Sequence, residues 1–429
     1  MIINADLHIH SKYSKGTSKY MDIEHILKYG KLKGLSLIGT GDCLNPKWLN
    51  EIKEYSDGKT ENLLLTTEVE DIHRVHHLIF LPNISKVEEL RSILSKYSKN
   101  IDIEGRPHIV LDGKELLNIV HDVGGLIGPA HCFTPWTSIY KSFNSIYDCY
   151  EKKPDFIELG LSADTDMADM IDELRDINFL SNSDAHSFYP HRLGREFNQF
   201  EVDNLGDFEE NFEEVKKVLK NNKIVANYGL DPNLGKYHLT ACTKCYLRYH
   251  LEDAEKLGFK CDECGGRIKK GVLDRIKELS LRKPTVSESG RLRKPLASES
   301  GRLQKSETSE PCGDDNNINH PDFRPPYYKV IPLSQIISLS IGKNIGTKSV
   351  DGLWQEYIEK YGNEIDVLIN ADVEELRGIN EKVGRTIELF RRNKIYIYPG
   401  GGGEYGKIMK NRPKIKWYEP KVTLDKWIG

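Results

Sequence analysis

No run of 18 apolar residues occurs anywhere in this 429-residue chain, so it offers no membrane span. Its first residues, Met1-Ile2-Ile3-Asn4, have neither the basic stretch nor the apolar core of a secretory leader, and none is expected. Cysteine is scarce, and four of the eight fall into two Cys-x-x-Cys pairs, which argues against a disulfide framework and for a reducing, cytoplasmic setting. Also missing is a Gly-x-x-x-x-Gly-Lys-Ser/Thr segment: the glycine-rich Pro399–Gly406 lacks the lysine and hydroxyl that complete a nucleotide-binding loop. Neither sign of charge dominates, with 61 Lys and Arg against 65 Asp and Glu. The imbalance is local. From Arg391 to Lys426 there are ten basic and three acidic residues, a density that attracts phosphates.

The length implies two or three domains. Residues 1–235 alternate short apolar runs with amphipathic stretches. Seven strand-like runs are Ile2–Ala5, Leu35–Thr40, Leu63–Thr67, His77–Leu81, Leu126–Pro129, Phe156–Leu159 and Phe179–Ser181. Helical stretches between them predict an α/β barrel or a related parallel sheet. Residues 236–279 hold Cys242-x-x-Cys245 and Cys261-x-x-Cys264, fifteen residues apart, a spacing that predicts one structural Zn²⁺ with no open coordination position. Residues 280–319 are expected to be a disordered linker: an eleven-residue unit at Leu281–Arg291 repeats at Leu292–Arg302 and is rich in Ser, Glu, Gly and Pro. Residues 320–429 are expected to form a separate, mostly helical, basic domain. Within it, two short helices around Gly378–Asn380 are similar to a helix-hairpin-helix DNA-binding element.

Four groups of metal-seeking side chains stand where the strand-like runs end. They are His8 and His10, beside Asp6; Asp42; His131; and Asp184 with His186. Glu68 and His76 lie between the second and third groups, with Glu70, His73 and His77 as neighbours that could replace them. Strand ends converge in an α/β barrel, and imidazoles mixed with carboxylates suit Zn²⁺, Mn²⁺ or Fe²⁺. This many ligands implies more than one ion.

The motifs and their order resemble the polymerase and histidinol phosphatase (PHP) family of metal-dependent phosphoesterases, over roughly the first 230 residues. His8 and His10 match its first motif, Asp42 the second, Glu68 and His76 the third, and His131, Asp184 and His186 the last ones. The resemblance implies a distorted (β/α)7 barrel and two or three catalytic divalent ions (Zn, Mn or Mg). Asp184 and His186 would be the catalytic pair, with Asp184 as a bridging ligand or proton acceptor. Two departures stand out: Ser14-Lys15-Gly16 where the family often reads Ser-Asp-Gly, and Gly41-Asp42-Cys43 where it often reads Thr-Asp-His. With the four-cysteine zinc unit and the basic C-terminal region, the whole arrangement resembles the endonuclease Q family.

That resemblance implies cleavage of double-stranded DNA 5′ of uracil, hypoxanthine, xanthine or an abasic site, leaving a 3′-hydroxyl and a 5′-phosphate. Arg391, Arg392, Lys410, Arg412, Lys414 and Lys416 are candidates to grip the DNA backbone. Trp136, Tyr140, Phe188 and Tyr189 are candidates to line a pocket for an extruded base. Two other readings fit parts of the chain: a small-molecule phosphatase of the histidinol-phosphate type, or a non-catalytic DNA-binding adaptor. No peptide for a sliding clamp stands out, so that partner has no motif of its own.

Overall fold

The computed structural model describes residues 1–55, 62–282, 318–409 and 411–420. The duplicated unit at 281–302 therefore lies almost wholly outside the described residues, as does Lys410.

The strands are β1 (Ile2–Asp6), β2 (Leu37–Gly39), β3 (Leu63–Glu70), β4 (His76–Leu81), β5 (Leu126–Pro129), β6 (Ile157–Glu158), β7 (Phe179–Leu180), β8 (Phe197–Glu201) and β9 (Ile224–Gly229). Two short strands follow in the cysteine unit, β10 (Ala241–Cys242) and β11 (Ile268–Lys269). The last three are β12 (Tyr327–Lys329), β13 (Tyr396–Tyr398) and β14 (Lys407–Met409). Eight strands form one curled sheet in the order β12-β9-β8-β1-β2-β3-β4-β5, and β6 pairs with β7 in parallel. Two links carry the curl past β5. Cys132 N–H donates to Glu158 O at 2.9 Å, and His10 N–H donates to Ala185 O at 2.9 Å beside a parallel bridge from Ile9 to Ala185. All seven expected strands are present; the carboxyl ends of β1, β2, β3, β5, β6 and β7 face a common mouth, and β4, which runs the other way, brings its amino end with His76 there.

The helices start and stop where local chemistry dictates. Asp22 caps Ile23–Lys33 by accepting from His25 N, and Gly34 ends it in the left-handed region at φ 101°. Asp112 with Glu115, and Asp207 with Glu210, form capping boxes at Gly113–Asp122 and Phe208–Lys220. No helix among the described residues is long and apolar enough to cross a membrane.

The sheet is not parallel throughout. β3 and β4 pair antiparallel, with Glu68 opposite Leu78 and Glu70 opposite His76, and β4 pairs antiparallel with β5. Asp71–Val75 is too short for a crossover helix, so only a hairpin can join β3 to β4. Here Asp71 Oδ1 accepts from both His73 N and Val75 N at 2.8 Å. β8 and β9 are further antiparallel strands beyond β1.

The segments after residue 235 are built into this frame. The helix Val272–Ser280 runs across residue 279, and its Arg275 donates to Tyr140 O, Phe143 O and Asn144 Oδ1 of the barrel. β12 adds to the sheet parallel to β9, with Tyr327 opposite Asn227. Beside it, the buried Arg324 pairs with Asp169 at 2.9 Å, donates to Ile177 O at 2.6 Å, and lies over the Phe179 ring. Five helices occupy Leu333–Arg391, and buried Glu364 accepts from Lys33 Nζ of the barrel at 2.6 Å. The region after residue 319 is therefore helical as expected over 333–391, but it shares strand and ion-pair contacts with the barrel instead of standing apart.

Glu196, just before β8, is fully buried. Burial pushes its carboxyl up to about 8, against the opposing pull of the Leu230 N–H, which donates to it at 2.7 Å, and of Arg195. The folded chain thus holds a proton there that the unfolded chain releases near 4.5. The associated stability is complete below that value and is lost as pH rises toward 8. Glu196→Gln cannot ionise. In denaturant titrations it should match the parent near pH 5 and exceed it at pH 9 by on the order of a few kcal/mol; equal stability at both pH values would show that the carboxyl is not held neutral.

Candidate metal centre

His8 and His10 sit on the extension of β1 and alternate, so both rings enter the same mouth. A buried carboxylate fixes the tautomer of each. Both oxygens of Glu158 lie 3.0 Å from His8 Nδ1, and Asp42 Oδ1 lies 3.0 Å from His10 Nδ1. A carboxylate only accepts, so each Nδ1 carries a proton and each Nε2 is the atom turned to the pocket, where a metal ion would take the place of any proton on it. Those Nε2 atoms are buried, have no hydrogen-bond partner, and converge on Asp184 Oδ1, itself without one. The distances to Asp184 Oδ1 are 3.7 Å from His8 and 3.2 Å from His10.

A second set lies alongside. Glu68 Oε1 stands 2.8 Å from His76 Nδ1 and 2.9 Å from His131 Nε2, and the two nitrogens are 3.1 Å apart. Glu70 Oε2 accepts from His76 Nε2 at 3.2 Å and turns Nδ1 inward. Ligands about 2.0–2.2 Å from a tetrahedral ion lie roughly 3.3–3.6 Å apart, so three nitrogen and oxygen atoms at about 3 Å form a fitting donor set. Glu68 faces both sets, with Oε1 3.7 Å from His8 Nε2 and Oε2 3.4 Å from His10 Nε2. By position, Glu68 is the carboxylate able to bridge two ions, the role expected of Asp184.

The field of the pocket favours cations. Burial alone would push His8 down, but Glu158 and Glu68 lift it to about 9. Burial pulls Glu68 up, yet His76, Arg106 and His8 hold it well below the usual carboxylate range. The backbone is strained at the same places: Asp42, His131 and Asp184 have φ of 48°, 32° and 47°. Side chains other than glycine occupy that region at a cost of about 1–3 kcal/mol each, and such residues gather at functional sites.

Several expected residues take other roles. Asp42 is not a donor to the pocket, because both oxygens are engaged: Oδ1 with His10, and Oδ2 with Ser11 N and Oγ at 2.7 Å. Cys43 is buried in the apolar core, where burial pushes its thiol far up, and its sulfur belongs to neither donor set. Lys15 is exposed. His77 turns to the opposite face and meets Asp71 Oδ2 at 3.1 Å, and His73 is exposed. His186 remains at the mouth, its ring 4.4 Å from that of His10. Glu158 and Arg106 are additions that the motifs do not announce. Glu158 has a visible signal, a single carboxylate inside the apolar run Phe156–Leu159; Arg106, in a loop, has none.

The aromatic candidates divide. Tyr140 is core, with its hydroxyl on Glu173 at 2.7 Å, and Phe188 packs among His25, Tyr29 and Tyr189. Trp136 and Tyr189 are each 54% exposed and can meet a ligand. Trp136 follows the His131 strand end, and Lys269 of β11 lies 4.5 Å over its ring. Of the basic candidates, Arg391 is committed elsewhere. It donates to Leu368 O, Ala371 O and Val367 O at 2.6–3.0 Å, capping the helix Glu364–Ile369. Arg392, Arg412, Lys414 and Lys416 lie at the surface.

The four cysteines gather as expected, with Sγ separations of 3.4 Å for Cys242 and Cys264 and 3.6 Å for Cys245 and Cys261. Thiolates about 2.3 Å from a tetrahedral ion are roughly 3.8 Å apart, so the set fits one Zn²⁺. His250 stacks on Trp417 at 4.5 Å and Tyr249 on Tyr418 at 4.8 Å, which ties this unit to the end of the described chain.

Comparison with known proteins follows the same outline. The MJ0043 C-terminal domain family matches residues 332–394. The uncharacterized protein MJ0043 of Methanocaldococcus jannaschii is 34% identical over an alignment 820 positions long that covers 100% of this chain and 100% of that one. The crystal structure of the novel lesion-specific endonuclease PfuEndoQ from Pyrococcus furiosus is 45% identical at a TM-score of 0.82, covering 99% of each chain. Endonuclease Q in complex with a 27-mer duplex substrate, with an abasic lesion at the active site, gives the same identity and TM-score over 99% of this chain and 100% of that one.

Two substitutions test these assignments. Glu158→Gln weakens the hold on His8 Nδ1–H and should lower affinity for a pocket metal by about 10–100-fold, as loss of a partner behind a ligand does; unchanged retention in a chelator competition would disprove the role. Arg391→Ala leaves three helix-end carbonyls without their donor and should cost about 1–3 kcal/mol in urea denaturation. Its affinity for duplex DNA should not change, and a loss of affinity without a loss of stability would restore it as a DNA contact.

Proposed function

The chain belongs to the endonuclease Q family, and from that premise we propose that it nicks duplex DNA on the 5′ side of deaminated bases and abasic sites. The coarser statement, a lesion-specific DNA endonuclease, rests on likeness to PfuEndoQ along 99% of the chain. The finer one names uracil, hypoxanthine and xanthine and the 3′-hydroxyl and 5′-phosphate ends, and extends the family resemblance; its hydrolytic part is supported above all by the convergence of His8 Nε2, His10 Nε2 and Asp184 Oδ1 beside the Glu68-His76-His131 set.

Two or three divalent ions fit these donor atoms and, when bound, supply an activated water and neutralise charge on a phosphoryl oxygen. Glu158 and Asp42 keep the two histidines in the tautomer that presents Nε2. Glu70 does the same for Nδ1 of His76. Asp184 is held low by His10, His8 and His186 against the upward push of burial, so it acts as a carboxylate donor to the pocket. His186 turns Nδ1 to Asp184 O at 3.0 Å and, one-third exposed, can pass a proton at Nε2 to or from the mouth. In the net reaction a water oxygen bonds to phosphorus, the P–O3′ bond breaks, and O3′ leaves with a proton.

Lesion choice follows from the energetics of extrusion. Unstacking costs least for a damaged or mispaired base, so a protein that requires extrusion finds lesions first. Of the four aromatic candidates, Trp136 and Tyr189 are the exposed ones, and stacking on the opened strand is assigned to them. The exposed Arg392, Arg412, Lys414 and Lys416 would hold phosphates, which position a duplex without reading it.

A 5′-labelled duplex carrying one uracil, beside an unmodified duplex, tests the reading with Mg²⁺, Mn²⁺ or Zn²⁺ present. One product, cut 5′ of uracil, is expected from the parent and none from Asp184→Ala, which should keep its fold and most of its DNA affinity. Equal cutting of the unmodified duplex, or full activity in Asp184→Ala, would overturn it.

A further inference from the structure

Arg106 brings a positive side chain into the pocket. Its Nη1 donates to Glu68 Oε2 at 2.9 Å while about a third of the side chain stays open to solvent at the mouth. Among the described residues, no other Lys or Arg forms an ion pair with Glu68 or Asp184.

Its backbone is fixed on both sides. Gly105 N–H donates to Tyr13 O at 3.1 Å, and a Cβ there would run into Asp42 Oδ2 and Ser14 Oγ, so only glycine fits so close behind His10. Pro107 O accepts from Glu70 N at 2.9 Å, and Ile109 N–H donates to Glu70 O at 2.8 Å. A residue between two such anchors is delivered to one place. Of the five N–H donors on its guanidinium, Glu68 takes one, and the partly exposed planar fork has others to offer a ligand.

A cation placed beside donors for divalent cations repels them. A residue that served only to support the metal donors would be neutral or acidic, as Glu158, Asp42 and Glu70 are. A guanidinium at that point is explained by an anion that must also sit there. The anion set by the proposed reaction is a phosphodiester, whose oxygens match the guanidinium fork.

We propose that Arg106 grips a non-bridging oxygen of the scissile phosphate and stabilises the charge that gathers on the phosphoryl group as P–O3′ breaks. The proposal rests on the DNA-cleavage reading for the identity of the substrate, but not for the phosphate contact itself.

The full chain, loaded with Mn²⁺, is compared as parent, Arg106→Gln and Arg106→Lys. Metal content is measured by mass spectrometry, inorganic phosphate binding by calorimetry, and cleavage of an abasic-site duplex in single turnover, with duplex affinity measured separately. Arg106→Gln should retain the parent's metal content, and its duplex affinity should fall by no more than its affinity for phosphate. It should bind phosphate about tenfold more weakly, the order expected for a lost charge-assisted bond. Its single-turnover rate should fall by about 10²–10³, the usual effect of removing a preorganised donor to a developing anion. Arg106→Lys should recover part of both losses. Loss of metal from Arg106→Gln would reduce Arg106 to a support for Glu68 and overturn the proposal, as would unchanged phosphate affinity. A parent that binds phosphate through Arg106 but leaves the lesion duplex uncut would sustain the clamp and sink the nuclease reading.

Discussion

The Glu158 carboxylate is the contact on which the centre depends. Buried completely, it takes His8 Nδ1 between its two oxygens and also accepts from Asn182 Nδ2 and His131 N, each at 2.8 Å. One side chain thus ties β1, the end of β5 and the end of β7 to β6, where the curled sheet nearly closes. Asn198 extends the tie by donating to Asn182 Oδ1 at 3.0 Å and to Ser181 O at 2.9 Å. These are buried polar groups joined to protein partners, and such networks fix one arrangement because alternatives leave donors unmet. Ligand geometry and barrel closure are for that reason one problem with one solution.

Much of this is legible in the sequence because the chemistry repeats at strand ends. His8 and His10 alternate, the Asp184-Ala-His186 segment follows an apolar run, and glycines crowd the turns before Asp42 and His131. The parts that are not legible lack period. Glu158 stands in a two-residue strand and Arg106 in a loop. The antiparallel pairing of β3 and β4 has no periodic signal, although the five-residue link between them allows nothing else. β8 and β9 carry asparagine where strands usually carry branched apolar residues: Asn198 and Asn227 are buried and hydrogen-bonded to each other at 2.9 Å, so polar satisfaction replaces hydrophobic packing there. Aromatic and basic residues mislead because sequence does not show direction. Tyr140 points into the core, and Arg391 points along a helix axis.

The regions after residue 235 read as successive modules in the chain but pack as one body with the barrel. β12 extends the barrel sheet, Arg324 fills a buried slot beside Phe179, Lys33 meets Glu364, and Trp417 lies on His250 of the cysteine unit. The helical hairpin of Val373–Ile379 and Glu381–Arg391 is close enough that Gly384 has no room for a Cβ against the Arg377 backbone. These contacts join the helices of Leu333–Arg391 and the cysteine unit to the frame that carries the metal pocket.

The left-handed backbone at Asp42, His131 and Asp184 has a consequence for how such a chain evolves. Each is a place where glycine would relieve backbone strain only by removing a side chain of the centre, so at these three positions the strain cannot be shed without loss of chemistry. Their persistence in a working lineage would record continuous selection for chemistry, a signature separable from the ordinary conservation of a hydrophobic core.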